Sequence, residues 1–325
     1  MQIRPRRNRA TAAIRAMVRE TSLSASNLVL PMFVQEGEAN ATPIGAMPGV
    51  ARLSPDLIVM EARRASALGI SAVALFPAID SALKNSHGTE SLNTHGLLQK
   101  TVRALKREVP ELLVITDVAL DPYSSDGHDG LLRGGAIVND ETLPLLAAMA
   151  VAQARAGADI VAPSDMMDGR VGAIREALDE EGFTDVGICS YCVKYASGFY
   201  GPFREALDSA PRSGDKKTYQ MDPANVRECL REVFLDEHEG ADWLMVKPGL
   251  PYLDVVRFVR ENTALPVAVY HVSGEFAMLK AAAANGWIDY ERCLMESLIG
   301  FRRAGADIIF TYAAIEAAEI LARRS

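Results

Sequence analysis

Cysteine is scarce, with four in 325 residues at Cys189, Cys192, Cys229 and Cys293. Too few thiols are present to staple a small secreted scaffold, and the chain is predicted to work in a reducing, cytoplasmic-type compartment. No apolar run approaches the ~20 residues of a membrane helix. The start of the chain carries Arg4, Arg6, Arg7, Arg9, Arg15 and Arg19 but no apolar signal core, which excludes a secretory signal. Its arginine-rich, acid-poor composition resembles an organellar transit peptide, but the reading carried forward is an exposed arm, residues 1–25, that contacts a neighbouring subunit. An excess of positive charge is also missing. Lys and Arg total 34 against 42 Asp and Glu, a net charge of −8, which argues against general nucleic-acid binding. No G-x-G-x-x-G and no Walker loop occurs, which removes the usual dinucleotide and nucleoside-triphosphate readings.

What is present is a repeating pattern. Apolar residues make up 49% and charged residues 23%, the composition of a soluble globular enzyme. Eight short apolar runs follow one another: Leu28–Val34, Ala72–Pro77, Leu112–Asp117, Ile160–Ser164, Val186–Val193, Trp243–Val246, Val267–Val272 and Ile308–Tyr312. Several are apolar almost without interruption, as strands covered on both faces must be. Amphipathic stretches of helical length separate them. Ser54-Pro55-Asp56 reads as a helix start. Asp222-Pro223 reads the same way, with Val226, Leu230, Val233 and Phe234 on one face and an end at Gly240. The signature Gly-Ala-Asp recurs at 157–159, 240–242 and 305–307, each time between a helix and a strand. Eight such units over residues 26–325 predict an α/β fold of the (β/α)8 TIM-barrel type behind the N-terminal arm. Insertions at about residues 78–95, 118–139 and 195–221 all follow strands, which places them on the catalytic face of a barrel.

Lys194 and Lys247 each end an apolar run, so both are expected at the C-terminal rim. A partly desolvated lysine has a lowered pKa, and a second ammonium nearby lowers it further. The neutral amine can then form a Schiff base with a ketone. A strand-end lysine can equally be an ion-paired structural group, or the lone lysine of an aldolase-like barrel. From Asp117 to Gly130 four carboxylates, among them Asp117, Asp121 and Asp129, accompany His128. They suit acid–base work, a hard metal ion, or simply a solvated turn. Cys189-x-x-Cys192 has no second pair to complete a zinc site. Three apart on a regular strand, the two thiols would point to opposite faces, and they are read as buried and inert. Ser273 and Tyr312 are strand-end polar groups, readable as carboxylate ligands or as a helix cap and a core residue.

The stretches Asp117-Val-Ala-Leu-Asp-Pro-Tyr123, Val161-Ala-Pro-Ser-Asp-Met-Met-Asp-Gly-Arg170, Lys194-Tyr-Ala-Ser, Phe199-Tyr-Gly-Pro-Phe-Arg204, Lys217-Thr-Tyr-Gln-Met-Asp222 and Met245-Val-Lys-Pro-Gly-Leu250 closely resemble the porphobilinogen synthase family, also called 5-aminolevulinate dehydratases. The resemblance runs in order through nearly the whole chain. It implies condensation of two molecules of 5-aminolevulinate to porphobilinogen with loss of two waters, in tetrapyrrole (heme) biosynthesis. Lys247 matches the lysine that holds the first substrate as a Schiff base, and Lys194 the one that engages the second. Ser273 and Tyr312 match ligands of the first substrate's carboxylate, and Arg204, Lys216 and Gln220 those of the second. The family implies a homo-oligomer, an octamer in which the arm embraces a neighbour. Where many members carry three zinc-binding cysteines, this chain has Ala119, Asp121 and Asp129. The expectation is therefore no catalytic Zn²⁺, and an allosteric Mg²⁺ at Glu232. Asp126 and His271 also depart from the family pattern, as does the stretch around Cys189–Val193.

Overall fold

The computed structural model describes residues 2–324. Eight parallel strands close on themselves: β1 Leu28–Val34, β2 Ala72–Pro77, β3 Leu113–Val118, β4 Ile160–Pro163, β5 Gly187–Lys194, β6 Trp243–Lys247, β7 Val267–His271 and β8 Ile308–Thr311. They pair in sequence order, and β8 returns to β1 through Leu28↔Ile309 and Val29↔Phe310. Every residue of β1 and β2 is buried, because the barrel interior covers one face and the helices the other. The expected barrel is present, with every strand end within one residue of the expected one.

The Gly-Ala-Asp signature has a physical basis. Gly157 and Gly305 follow their helices with φ of 105° and 120°, a region that suits glycine and lets the chain turn into the next strand. The aspartate then reaches across to the start of the preceding strand. Asp159 accepts from Val114 N at 2.8 Å, Asp242 from Ile188 N at 2.8 Å, and Asp307 from Val267 N at 3.0 Å. Each repeat thus ties a new strand to its neighbour at the N-terminal end of the barrel.

Three features depart from expectation. The first loop contains an antiparallel pair, Ala41–Pro43 with Ala51–Leu53, that extends the sheet beside β1. The insertion after β3 contains a ribbon, Leu131–Arg133 with Ala136–Val138. Its turn is Gly134-Gly135, both at positive φ, a hairpin signal present in the sequence. The helix expected from Asp222 begins only at Glu228 and ends at His238. Asp222 instead closes a turn, its Oδ1 accepting from Ala224 N at 2.8 Å. Val226 and Phe234, expected on the buried face, are exposed. The segment before the helix serves as a wall of the mouth of the barrel, since Met221 N donates to the Lys194 carbonyl at 3.0 Å.

The two short helices at the N-terminal end, Pro5–Arg9 and Ala12–Met17, contain no buried residue. Among the described residues no helix is long and apolar enough to cross a membrane.

A buried ion pair between two helices also reaches the strand layer. Arg170 donates to Asp236 Oδ1 at 2.5 Å and to Ser190 Oγ on β5 at 3.0 Å, and both charged side chains are 2% exposed. Replacing one partner leaves the other charge buried and unpaired. Arg170→Leu is therefore expected to cost about 3–5 kcal/mol of unfolding free energy. Urea denaturation checks this, and an unchanged midpoint would refute it.

Candidate active site

β5 and β6 end side by side, and Lys194 and Lys247 are register partners. Lys247 is 6% exposed. Its ammonium nitrogen lies 4.9, 5.3, 5.2 and 4.7 Å from the ring centres of Tyr191, Tyr200, Phe203 and Tyr270. Among the described residues it forms no ion pair with a carboxylate, unlike its two lysine neighbours. Burial, then the charge of Lys194, lower its pKa to about 7, against the opposing pull of Asp117, Asp121 and Asp129. A substantial fraction of the amine is then neutral at physiological pH, the form that attacks a carbonyl.

The other two lysines are held by carboxylates. Lys194 Nζ lies 3.3 Å from Asp129 Oδ2 and donates to the Ser164 carbonyl. Lys216 Nζ lies 2.5 Å from Asp129 Oδ1 and 3.3 Å from Asp121 Oδ2. Burial alone would raise the Asp129 carboxyl, but the two ammoniums outweigh it and hold the pKa at about 2. Asp117 behaves oppositely. Burial, reinforced by the charge of Asp121, lifts it to about 7, and its Oδ1 is buried without a hydrogen-bond partner. A carboxyl poised there can accept or return a proton.

The remaining predicted residues surround this cluster in part. Ser273 does not cap its helix; the cap position is Val272. Its hydroxyl accepts from Phe203 N at 3.1 Å and stands 3.4 Å from the Phe199 carbonyl. Tyr312 shares a hydrogen bond of 3.1 Å with Tyr270, one of the rings around Lys247. Gln220 is buried, with Oε1 unpartnered, and its backbone N–H donates to the Lys216 carbonyl. Arg204 is half-buried on the short helix Gly201–Leu207, next to Phe203. Glu232 stands apart from the lysines. It lines a cavity of about 950 Å³ together with His128, Tyr219 and Gln220. Burial, then Asp236, Asp168 and Glu228, lift its carboxyl to about 7 despite Arg170.

Sequence reasoning missed the aromatic cage. The run Phe199-Tyr200-Gly-Pro-Phe203 was a signal for half of it, but Tyr191 and Tyr270 come from β5 and β7. It also missed the pair His128 Nδ1 and Tyr219 OH, 3.1 Å apart. Cys189 and Cys192 are buried, and burial pushes both thiols up. Regular alternation does not continue from one thiol to the other, because the pairing of β5 with β6 shifts between them.

The family described as Delta-aminolevulinic acid dehydratase matches residues 2–320. The chain belongs to that family. The chloroplastic delta-aminolevulinic acid dehydratase of Physcomitrium patens is 59% identical over 323 residues, 99% of this chain and 74% of the relative. That of Glycine max is 60% identical over 320 residues, 98% of this chain and 77% of the relative. A crystal structure of the dehydratase (porphobilinogen synthase) from Toxoplasma gondii, in complex with the reaction product porphobilinogen, superposes with a TM-score of 0.98 at 54% identity. It covers 100% of this chain and 93% of its own. The naming of these plant relatives as chloroplastic overturns the cytoplasmic expectation. Scarce cysteine does not tell one compartment from another.

The lowered pKa of Lys247 has a cost that can be measured. An unfolded chain holds the Lys247 proton up to the ordinary value of 10.5, whereas the folded chain releases it at about 7. Between these values the unfolded state binds more protons, so this residue's contribution to stability rises with pH through that window and is least favourable below it. Lys247→Met is expected to abolish turnover and to raise the melting temperature at pH 7. Its advantage over the parent should shrink in melts at about pH 10. A difference that does not change with pH would contradict the assignment.

Proposed function

We propose that this dehydratase-family chain condenses two molecules of 5-aminolevulinate to porphobilinogen, with loss of two waters, through Schiff bases on its lysines. Membership of the family makes it a lyase of tetrapyrrole (heme) biosynthesis. The observation that carries the reading is the pair of buried lysines at adjacent strand ends, one poised near neutrality. Lys247 attacks the ketone of one substrate. The iminium that follows acidifies the adjacent carbon, and Asp117 is placed to move the proton. Lys194 engages the second substrate. Ser273 and Tyr312 bind one substrate carboxylate, and Arg204, Lys216 and Gln220 the other, so that the reacting carbons are held together. Borohydride reduction in the presence of 5-aminolevulinate is expected to add substrate mass at Lys247, read by peptide mass mapping. Product formation, followed by a pyrrole-specific colour reaction, should vanish in both Lys194→Ala and Lys247→Ala. An adduct elsewhere, or turnover in either variant, would sink the proposal.

The aspartate-rich, zinc-independent type is supported by the donor set. Ala119 offers no ligand, and Asp121 and Asp129 are engaged by an ammonium where a dication would need them free. For Mg²⁺ the residues fit at Glu232. Its carboxyl is raised by burial and by neighbouring negative charge, which a cation that keeps several waters and needs one or two carboxylates would relieve. The allosteric cation and the octamer, with residues 1–25 as the intersubunit arm, belong to the same proposal. Activity with and without Mg²⁺ should show stimulation in the parent and none in Glu232→Gln. A zinc-selective chelator should leave activity intact, and a sizing column run beside the assay should report the octamer. Loss of activity on zinc chelation that only zinc reverses, or a monomer on the column, would overturn these points.

A further inference from the structure

β5 and β6 do not pair evenly. Trp243 and Leu244 stand opposite Cys189 and Ser190, whereas Val246 and Lys247 stand opposite Val193 and Lys194. Tyr191 and Cys192 together therefore face one residue, Met245, and β5 carries a bulge. The extra residue reverses the alternation of side chains. Ser190 turns outward to Arg170 and Asp236 in the helix layer, and Tyr191 turns inward to Lys247. In a regular strand the next inward positions would be 193 and 195. Instead Lys194 points inward, onto Asp129, and Tyr195 points away, stacked on Tyr252 with ring centres 4.1 Å apart. With even pairing, Val193 would stand opposite Lys247 and the Lys194 ammonium would face the helices.

Arg170 touches the outer side of the bulge, its Nη2 donating to the Tyr191 carbonyl at 3.5 Å, and one side-chain contact crosses the bulge to β6. Cys192 Sγ donates to the Met245 carbonyl at 3.6 Å, and Met245 is the residue that the bulge faces. Burial pushes the Cys192 thiol well up, so the proton stays on sulfur and the donor is retained. From the helix layer the charges of Asp236 and Arg170 also reach it, the first raising and the second lowering the thiol's pKa.

We propose that Cys192 is a positioning residue: by holding the bulge against Met245 it selects which residue of β5 enters the pocket, and so places Lys194 beside Lys247. This rests on the two-lysine reading above.

The test compares Cys192→Ser, Cys192→Val and Cys192→Ala in the full-length protein. Steady-state kinetics, pH profiles and the borohydride adduct with 5-aminolevulinate are recorded for each. Serine keeps a donor and is expected to retain the parent kcat. Valine and alanine lose it, and kcat should fall about fivefold, the fold-change of one weak hydrogen bond. The adduct at Lys247 should persist in all three. As Lys194 leaves its place, its charge no longer depresses Lys247, and the acid limb of the profile should move to higher pH in the valine and alanine variants alone. Alanine guards against the branched valine simply misfolding, and a melting curve on each separates the two. Valine and alanine variants with the parent kcat and pH profile, or a serine variant as impaired as they are, would overturn the proposal. Absence of a Lys247 adduct in the parent would instead overturn the two-lysine reading, and this proposal with it.

Discussion

A carboxylate with no exposure stays ionised only when cations surround it, and Asp129 meets that condition through Lys194 and Lys216. The rest of the pocket follows from this arrangement. Each of the two lysines has a carboxylate partner, and Lys194 brings its charge to the tip of β5. That charge falls on Lys247, which has aromatic rings around it in place of a counter-ion. Asp117, next to Asp121 and lacking a partner for one oxygen, is pushed the other way. Two groups thus reach the neutral range from opposite directions, an amine from above and a carboxyl from below. This is the pairing that acid–base chemistry at physiological pH requires.

The barrel was legible because a strand covered on both faces leaves an apolar run without alternation. The Gly-Ala-Asp repeat marked where helices stop. The lysines were legible because each ends such a run. Other parts could not be read in this way. The cage around Lys247 draws on β5, β7 and the loop after β5, and no linear pattern joins Tyr191, Tyr200, Phe203 and Tyr270. The bulge has no glycine to betray it, so Cys189 and Cys192 were placed by a regular alternation that β5 does not keep. The helix expected at Asp222 failed for a related reason. Met221 is hydrogen-bonded to Lys194 at the end of β5 and to Ala196 just beyond it, and this tertiary pairing overrode a local helix-start signal. Ser273 looked like a cap, but its hydroxyl is bonded to the loop that carries Phe199 and Phe203.

The aspartates of the three Gly-Ala-Asp repeats lie at the opposite end of the barrel from the lysines. Asp159, Asp242 and Asp307 clasp β3, β5 and β7 at their first or second residues, whereas Lys194 and Lys247 sit at the last residues of β5 and β6. One strand, β5, is therefore anchored at its base by Asp242, irregular in its middle, and reactive at its tip. The fixed base sets the phase of the strand, and the irregularity resets it before the tip. The barrel is in this sense a vernier: the closure of its lower rim is decided separately from the aim of its upper one. Changes at the lower rim can alter how firmly the cylinder holds together without turning either amine, and a one-residue change of phase above it can redirect the chemistry without reopening the seam.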